Sequence, residues 1–450
     1  MPNLSARSVE ACLIELLQHF GIARAHVAAG RMGLTDWEGL ATRHPERLAS
    51  LTLVAPPPLD AGIISGLASR LLVIAGSEGV AAKDTQKLLA NAPGAVSRIL
   101  PGYATQVWND TILDRRNEIG PAMLEFLGHV EPPQPPATPP VEAQGEVAGI
   151  SYHIRGAGPP LVLLPLDLAP SQWEPLIPLL RTHYCTITLG GPLLGIVGVL
   201  EGRGRSGYLS MVKAVLDAVP IRPGEVILEL GGGSGVILRE VARRTAGANR
   251  IIDVDNNPYL LREAEQLARR AGLAENITFH HGRAEAIPLA DNSVDVTLSF
   301  TVMEEGDADQ MLAEMIRVTR PGGRIAAVVR ATDMPSWANA PLTAAIRAKA
   351  DQPGMVNGGI APSGCADASL YQRFHRAGLA LSQCFPQFVA ITPAETSRLT
   401  ISEQRILTAL TAPEVAQWHS AVTQAKADNT FFIASSYHCA IGIKAASASR

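Results

Sequence analysis

The chain has 450 residues, 47% hydrophobic and 18% charged, with a formal net charge of −4. Length and apolar content suit two to three packed domains, and the weak negative charge offers no electrostatic footprint for nucleic acid. Five scattered cysteines (Cys12, Cys185, Cys365, Cys384, Cys439) fit neither a disulfide framework nor a zinc site, and no apolar run reaches the length of a membrane span. The opening MPNLSARSVE lacks the layout of a signal peptide, so a cytoplasmic location is expected.

In chain order, a helix-like segment (VEACLIELLQHFGI) leads into AHVAAGRMGLTDWEGLATRHPERLASLTLVAP, which reads as strand, sharp turn, helix and strand. RLLVIAGSEGVAAKD and ILPGYATQVWND follow, each a strand running into a loop. Through these segments, with HPERL as a landmark, residues 1–130 resemble the later half of an α/β-hydrolase. The resemblance implies a nucleophile elbow, G-x-S-x-G, on a strained turn. Here the run is Ala29, Gly30, Arg31, Met32, Gly33, with Arg31 at the nucleophile position. A guanidinium stays protonated and cannot attack a carbonyl. Ser77, Glu78 and Asp84 are the candidates for the triad acid, but no histidine lies between Pro101 and Leu127. Triad hydrolysis is therefore not expected, and this region reads as noncatalytic.

Residues 131–146 read as a proline-rich linker, because Glu131–Pro140 (EPPQPPATPP) can form neither a helix nor a central strand. Residues 147–200, starting with ISYHIRGAGPPLVLLPLDLAP, resemble the opening of an α/β-hydrolase: a hairpin strand, the LVLLP strand, a helix after Trp173 and a further strand. The later half of that fold thus precedes its opening. Either the two pieces complete one permuted sheet, or each is the remnant of a separate truncated copy. One composite domain is favoured, since domain termini often lie close together and unpaired parallel edges invite aggregation. Its expected role is scaffolding, dimerisation or shaping substrate access, and a homodimer is among the expected assemblies.

Residues 201–450 carry the chemistry. In VILELGGGSG (Val226–Gly235) a buried strand ends in an acid, a glycine-dense turn follows, and VILREVARRT continues as a helix. Such a turn lets a nucleotide-type ligand approach bare main chain at a helix N-terminus. A dinucleotide fingerprint wants glycine or alanine three residues after its second glycine, and Val236 stands there after Gly233. About twenty residues further on, RIIDVD (Arg250–Asp255) is a second strand ending in an acid, placed to accept from ribose hydroxyls. Asp255 is the better candidate; Asp253 shares its face but lies further inside the strand. NITFH, VDVTLSF and Arg324–Arg330 read as further strands, separated by helices at 257–272 and 308–320. This alternation specifies an α/β fold with a doubly wound, mostly parallel, Rossmann-like sheet.

In order, ELGGGSG, DVDNNPYLL, GRAEAIPLADNSVD, SFTVMEEGDAD and RVTRPGGR make Ile221–Arg330 resemble the class I S-adenosylmethionine (SAM)-dependent methyltransferases of the ubiquinone and menaquinone biosynthesis type. The resemblance implies SAM as cofactor and a small-molecule acceptor. It implies that Glu229, Gly231, Gly233 and Gly235 surround the methionine part, and that Asp255 with Asn256 binds the ribose. Arg283, Ala284 and Glu285 would flank the adenine, and Phe300 and Thr301 would lie under the sulfonium end. Arg283 departs from the family, which often has an aspartate there; arginine cannot accept a hydrogen bond, so backbone groups, Glu285 or stacking on Arg283 would serve the adenine instead. Tyr208, in GYLSMVKAVLDAV ahead of the glycine turn, either closes over the cofactor or simply packs.

After the fifth strand, Ala331–Gly378 mixes proline, glycine and small residues and is a natural cap over the methyl donor. LSQCFPQFVAI and FFIASSYHCAIGIK read as two closing strands that form an antiparallel edge, with a helical insertion between them. His375 and His438 are candidates for a general base, although nothing in the sequence pairs either with a carboxylate. Trp337, Met355 and Tyr371 either line an apolar acceptor pocket or belong to the core. Glu304, Glu305, Asp307 and Asp309 read as an acidic helix start rather than a metal site. The expected function is SAM-dependent methyl transfer to O, N or C of a small molecule. The competing readings are a noncatalytic protein that binds SAM or S-adenosylhomocysteine (SAH), and an NAD-dependent oxidoreductase.

Overall fold

The computed structural model describes residues 8–30, 34–56, 59, 62–63, 66–104, 110–134, 142–205, 207–357 and 359–446. Arg31, Met32 and Gly33 of the elbow-like run lie outside the described residues, as do 105–109 of the loop after ILPGYA and 135–141 of the proline-rich stretch. The chain divides into two units, Met1–Val199 and Leu200–Arg450.

The first unit contains β1 (Ala25–Gly30), β2 (Leu48–Val54), β3 (Leu71–Glu78), β4 (Val96–Ala104), β5 (Ala143–Val147), β6 (Ile150–Arg155), β7 (Pro160–Leu163) and β8 (Cys185–Gly190). These make a single eight-stranded sheet in the order β4-β3-β2-β1-β7-β8-β6-β5. Strands from both sides of the proline-rich stretch therefore share one sheet. The join is β1 against β7, parallel, with His26 opposite Leu161 and Ala28 opposite Leu163. Every residue of β1 is buried, as a parallel strand covered on both faces requires. Leu13, Leu16, Trp37 and Val162 build the core on one face; Ile119, Met123, Phe126 and Trp173 build it on the other. The hairpin β5–β6 turns through Ala148 and Gly149, whose positive φ values of 53° and 82° suit the two-residue turn that matches strand twist.

The second unit contains β9 (Val226–Leu230), β10 (Arg250–Asp255), β11 (Ile277–His281), β12 (Val294–Phe300), β13 (Thr319–Arg330), β14 (Trp337–Ala338), β15 (Ala380–Ile391) and β16 (Ile433–Ile443). Their order is β11-β10-β9-β12-β13-β16-β14, with β15 also paired to β16. Strands β9 to β13 pair parallel with one another, whereas β16 runs antiparallel to β13 and β15. The winding direction reverses at β9, between β10 and β12, so the ends of these strands open a crevice. Local sequence starts the helices that cover the sheet: Asn257 accepts from the N–H groups of Tyr259 and Leu260, both at 3.1 Å, and Pro258 occupies the first turn of Pro258–Arg270. The fifth strand starts earlier than its apolar run suggests. The helix ends at Val318, and Thr319 already pairs with Val294, leaving Pro321–Gly323 within an irregular start to β13. Between β15 and β16, helices Thr396–Leu407 and Ala412–Ala427 pack Ile406 and Trp418 into a separate small core. Among the described residues, no helix is long and apolar enough to cross a membrane.

Candidate active site

The glycine turn is dictated by both backbone and space. Gly231, Gly233 and Gly235 have φ of 70°, 58° and 75°, a region that side chains disfavour. A Cβ on Gly231 would lie 2.5 Å from Val302 Cγ2, and one on Gly232 would lie 2.5 Å from Asp253 Oδ1. Asp255 holds this turn: its Oδ2 accepts from the Gly233 N–H at 2.9 Å and its Oδ1 from the Asn257 N–H at 2.8 Å. Asp253 Oδ1 accepts from the Gly232 N–H at 3.1 Å. Sequence reasoning assigned Asp255 to a ligand and missed its work on the turn. Each carboxylate oxygen has two acceptor sites, so ribose hydroxyls can still donate to it.

Parallel register sets Asp253 beside Glu229 on the neighbouring strand. Glu229, Asp253 and Asp255 are all buried, and Glu229 Oε2 and Asp253 Oδ2 have no hydrogen-bond partner among the described residues. Burial, reinforced by the charge of Asp255, pushes the Glu229 carboxyl up to about 8. Burial and its two acidic neighbours push Asp253 well above the ordinary aspartate value. Asp255 is raised by burial too, against the opposing pull of its two backbone donors. Arg239, the nearby buried cation, is committed to Glu201 and to the Ser234 carbonyl at 2.8 Å. The crevice therefore holds more buried acid than the protein neutralises, a setting that favours a cationic ligand.

The remaining sequence candidates have the following settings. Arg283 is 71% exposed and lies 3.4 Å from the Glu285 carboxylate, with half-buried Ala284 between them. Asn256 is exposed, and its carbonyl pairs with His281 Nε2 at 3.0 Å. Phe300 is buried at the tip of β12. Thr301 follows with φ of 59°, a strained conformation for a β-branched residue. Tyr208 is fully buried with Arg203 and Arg398 over its ring at 4.9 and 5.5 Å and Tyr437 edge-on at 5.6 Å. Burial pushes its phenol up to about 12.

Beyond β13 the candidates lie in different surroundings. His375 is exposed on the helix Ser369–Arg376. His438 is buried, and its Nδ1 meets the Tyr371 hydroxyl at 2.9 Å while its Nε2 meets Asp333 Oδ1 at 2.8 Å. Asp333 lies 105 residues away, which is why no sequence pattern links them. Trp337 is 46% exposed and sits edge-on to Phe432, and Met355 packs onto the small core of Ile406 and Trp418. The acidic run 304–309 is not one feature. Asp307 caps the helix Ala308–Val318, accepting from Asp309 and Gln310 N–H groups at 3.1 and 3.0 Å. Glu304 is instead completely buried, which corrects its reading as part of a helix start. No group of three or more His, Cys, Asp or Glu among the described residues is arranged to hold a metal ion.

Residues 227–323 match the family described as a methyltransferase domain. The ubiquinone/menaquinone biosynthesis C-methyltransferases of Klebsiella pneumoniae and Escherichia coli are each 32% identical over 111 residues, 24% of this chain and 44% of theirs. The chain thus spans less than half the length of these curated relatives. Among solved structures, a SAM-dependent methyltransferase from Aquifex aeolicus aligns at 18% identity over 38% of this chain and 81% of its own, with a TM-score of 0.31. The geranyl diphosphate C-methyltransferase of Streptomyces coelicolor aligns at 12% identity over 52% and 79%, with a TM-score of 0.33. The bare glycine turn and the under-neutralised carboxyls fit SAM, whose methionine ammonium and sulfonium are both cationic. Within the second unit, residues 227–323 thus carry a methyltransferase domain, similar to that of SAM-dependent C-methyltransferases.

Proposed function

We propose that this protein transfers a methyl group from SAM to a small-molecule acceptor. The observation that carries this reading is the surplus of buried carboxyl groups beside a glycine turn whose positions at Gly231 and Gly232 leave no room for a Cβ. When bound, SAM supplies a methyl group activated by its sulfonium. Glu229 and Asp253 offer carboxylate oxygens to the positive methionine end, Asp255 accepts from the ribose while fixing Gly233, and Arg283 to Glu285 border the adenine. Phe300 and Thr301 shape the floor at the methyl end. Alignment and exclusion of water are the main demands of methyl transfer, and the segment after β13 serves as the cover.

For the first unit, we infer a permuted α/β-hydrolase-like domain without a working triad. Strands from both sides of the proline-rich stretch in one sheet support the permuted reading over two truncated copies, which would each carry their own. Calorimetric titration of the full chain with SAH and, separately, NAD tests the cofactor reading. Saturable binding of SAH and none of NAD is expected; binding of NAD alone would overturn it.

A further inference from the structure

One largely buried cation of the second unit has no acid to balance it. Arg405 lies on the helix Thr396–Leu407, with its side chain mostly withdrawn from water. Its Nη1 donates to the Val356 carbonyl at 2.5 Å, and no carboxylate among the described residues pairs with it. Its remaining N–H groups have no partner among the described residues, and none of them is sealed from solvent. Arg239, Arg324 and Arg398, which are also deeply placed, face Glu201, Glu225 and Glu395 respectively. A cation taken from water without a counter-charge is costly, which is why buried charges are ordinarily paired.

Hydrogen bonds fix where this charge stands. Asn357, next to Val356 in the cover, donates through Nδ2 to the Ala331 carbonyl at 3.0 Å and the Ser436 carbonyl at 3.2 Å. Arg405 therefore sits where the cover crosses the end of β13 and the middle of β16, and it feels the charge of Arg330 and the phenol of Tyr437. Tyr437 stands edge-on to Tyr208 at 5.6 Å, and the Tyr208 phenol neighbours the Thr301 hydroxyl after β12. The Thr301 N–H is tied to β13 through the Val328 carbonyl at 2.8 Å. The rings of Tyr437 and Tyr208 thus lead from Arg405 to the floor assigned to the methyl end. Arg330 cannot balance Arg405: it is itself a cation, shared between Glu304 and Glu305 at 3.4 and 3.2 Å. Burial, and then the like charge of Arg330, press the Arg405 guanidinium below the ordinary arginine value, and an arriving anion relieves both.

We propose that the methyl acceptor carries a carboxylate, remote from the atom that is methylated, and that Arg405 holds it and so sets acceptor specificity. The proposal rests on the methyltransferase reading. A guanidinium grips a carboxylate through parallel N–H···O bonds, and the edge of Arg405 left free by Val356 suits this flat group. A phosphate monoester brings nearly two negative charges, and the neighbouring cation Arg330 is already committed. Anchored at one end, the acceptor is oriented toward the methyl donor, which is the main demand of the transfer.

Full-length wild type, Arg405→Lys and Arg405→Met are each titrated with SAH. Saturation-transfer NMR on the SAH-loaded proteins then follows binding of a panel of aryl and alkyl carboxylates, their methyl esters and matched phosphate monoesters, and labelled SAM follows transfer to the same panel. The proposal expects SAH affinity within about twofold in all three proteins, and wild-type binding and label at least about tenfold stronger on carboxylates than on esters or phosphates. In Arg405→Met, KM for the labelled carboxylates should rise at least about tenfold with a smaller change in kcat, and Arg405→Lys should recover part of the loss. If Arg405→Met fails to bind SAH through misfolding, the wild-type preference and the Arg405→Lys values decide. The proposal is overturned by equal handling of acids and esters in wild type, by preference for phosphates, by undiminished carboxylate binding in Arg405→Met, or by SAH binding with no panel member bound or labelled. Failure of wild type to bind SAH overturns the methyltransferase reading itself, and this proposal with it.

Discussion

Asp255 shows how one carboxylate is divided between turn and ligand. It holds the N–H groups of Gly233 and Asn257, so Asp255→Ala removes a ligand acceptor and leaves two donors near the crevice without their partner. Charged hydrogen bonds of this kind contribute roughly 1.5–3 kcal/mol, so SAH affinity is expected to fall at least about tenfold, read by calorimetry. Unchanged affinity would mean the ribose lies elsewhere. Glu229 makes a pH-dependent contribution. Its carboxyl is raised to about 8 in the folded chain, chiefly by burial, so the folded state holds a proton that the unfolded chain has released above about 4.5. Stability is then greatest below pH 4.5 for this group and falls as pH rises toward 8, by up to about 1.4 kcal/mol per pH unit. Urea unfolding of the ligand-free protein from pH 5 to 8 should show a weaker decline in Glu229→Gln; equal slopes would contradict this.

At the scale of elements, the turn between β9 and the helix Val236–Thr245 is the least tolerant part of the crevice. Gly231→Ala places a methyl 2.5 Å from Val302 Cγ2 at a φ of 70°. The left-handed conformation alone costs a side chain roughly 1–2 kcal/mol, so thermal unfolding should shift downward and SAH binding should weaken. A variant as stable and as tightly binding as wild type would show that the turn is not under this constraint. The turn and strand ends were legible in the sequence because glycine spacing, alternating strands and helices, and terminal acids are local signals. Glu304 and His438 were not. Glu304 sits in a run of acids that looks solvated, and only the contact of its carboxyl with Arg330, together with the cover over its main chain, reveals its burial. His438 finds Asp333 and Tyr371 through the antiparallel pairing of β16 and the path of the chain after β13, which no periodicity encodes.

At the scale of the molecule, the first unit is one sheet assembled from segments that are distant in sequence. HPERL and the LVLLP strand made both pieces visible, but whether they pair depends on β1 meeting β7, a long-range register that local pattern leaves open. The consequence is testable. A fragment of residues 142–450 retains β5 to β8 but leaves the β7 edge unpaired, so it should aggregate in light scattering. A fragment of residues 195–450, which keeps the Glu201 partner of Arg239, should stay dispersed and bind SAH. A well-dispersed 142–450 fragment with a cooperative unfolding transition of the first unit would argue that its two pieces are independent. The most direct test of the central claim is a crystal structure of the full chain grown with SAH. The account predicts ligand density across the tip of β9, with main chain from Gly231 to Gly235 against the amino-acid end and the ribose on Asp255. Density for SAH elsewhere, or a crevice closed by side chains in crystals saturated with ligand, would contradict it.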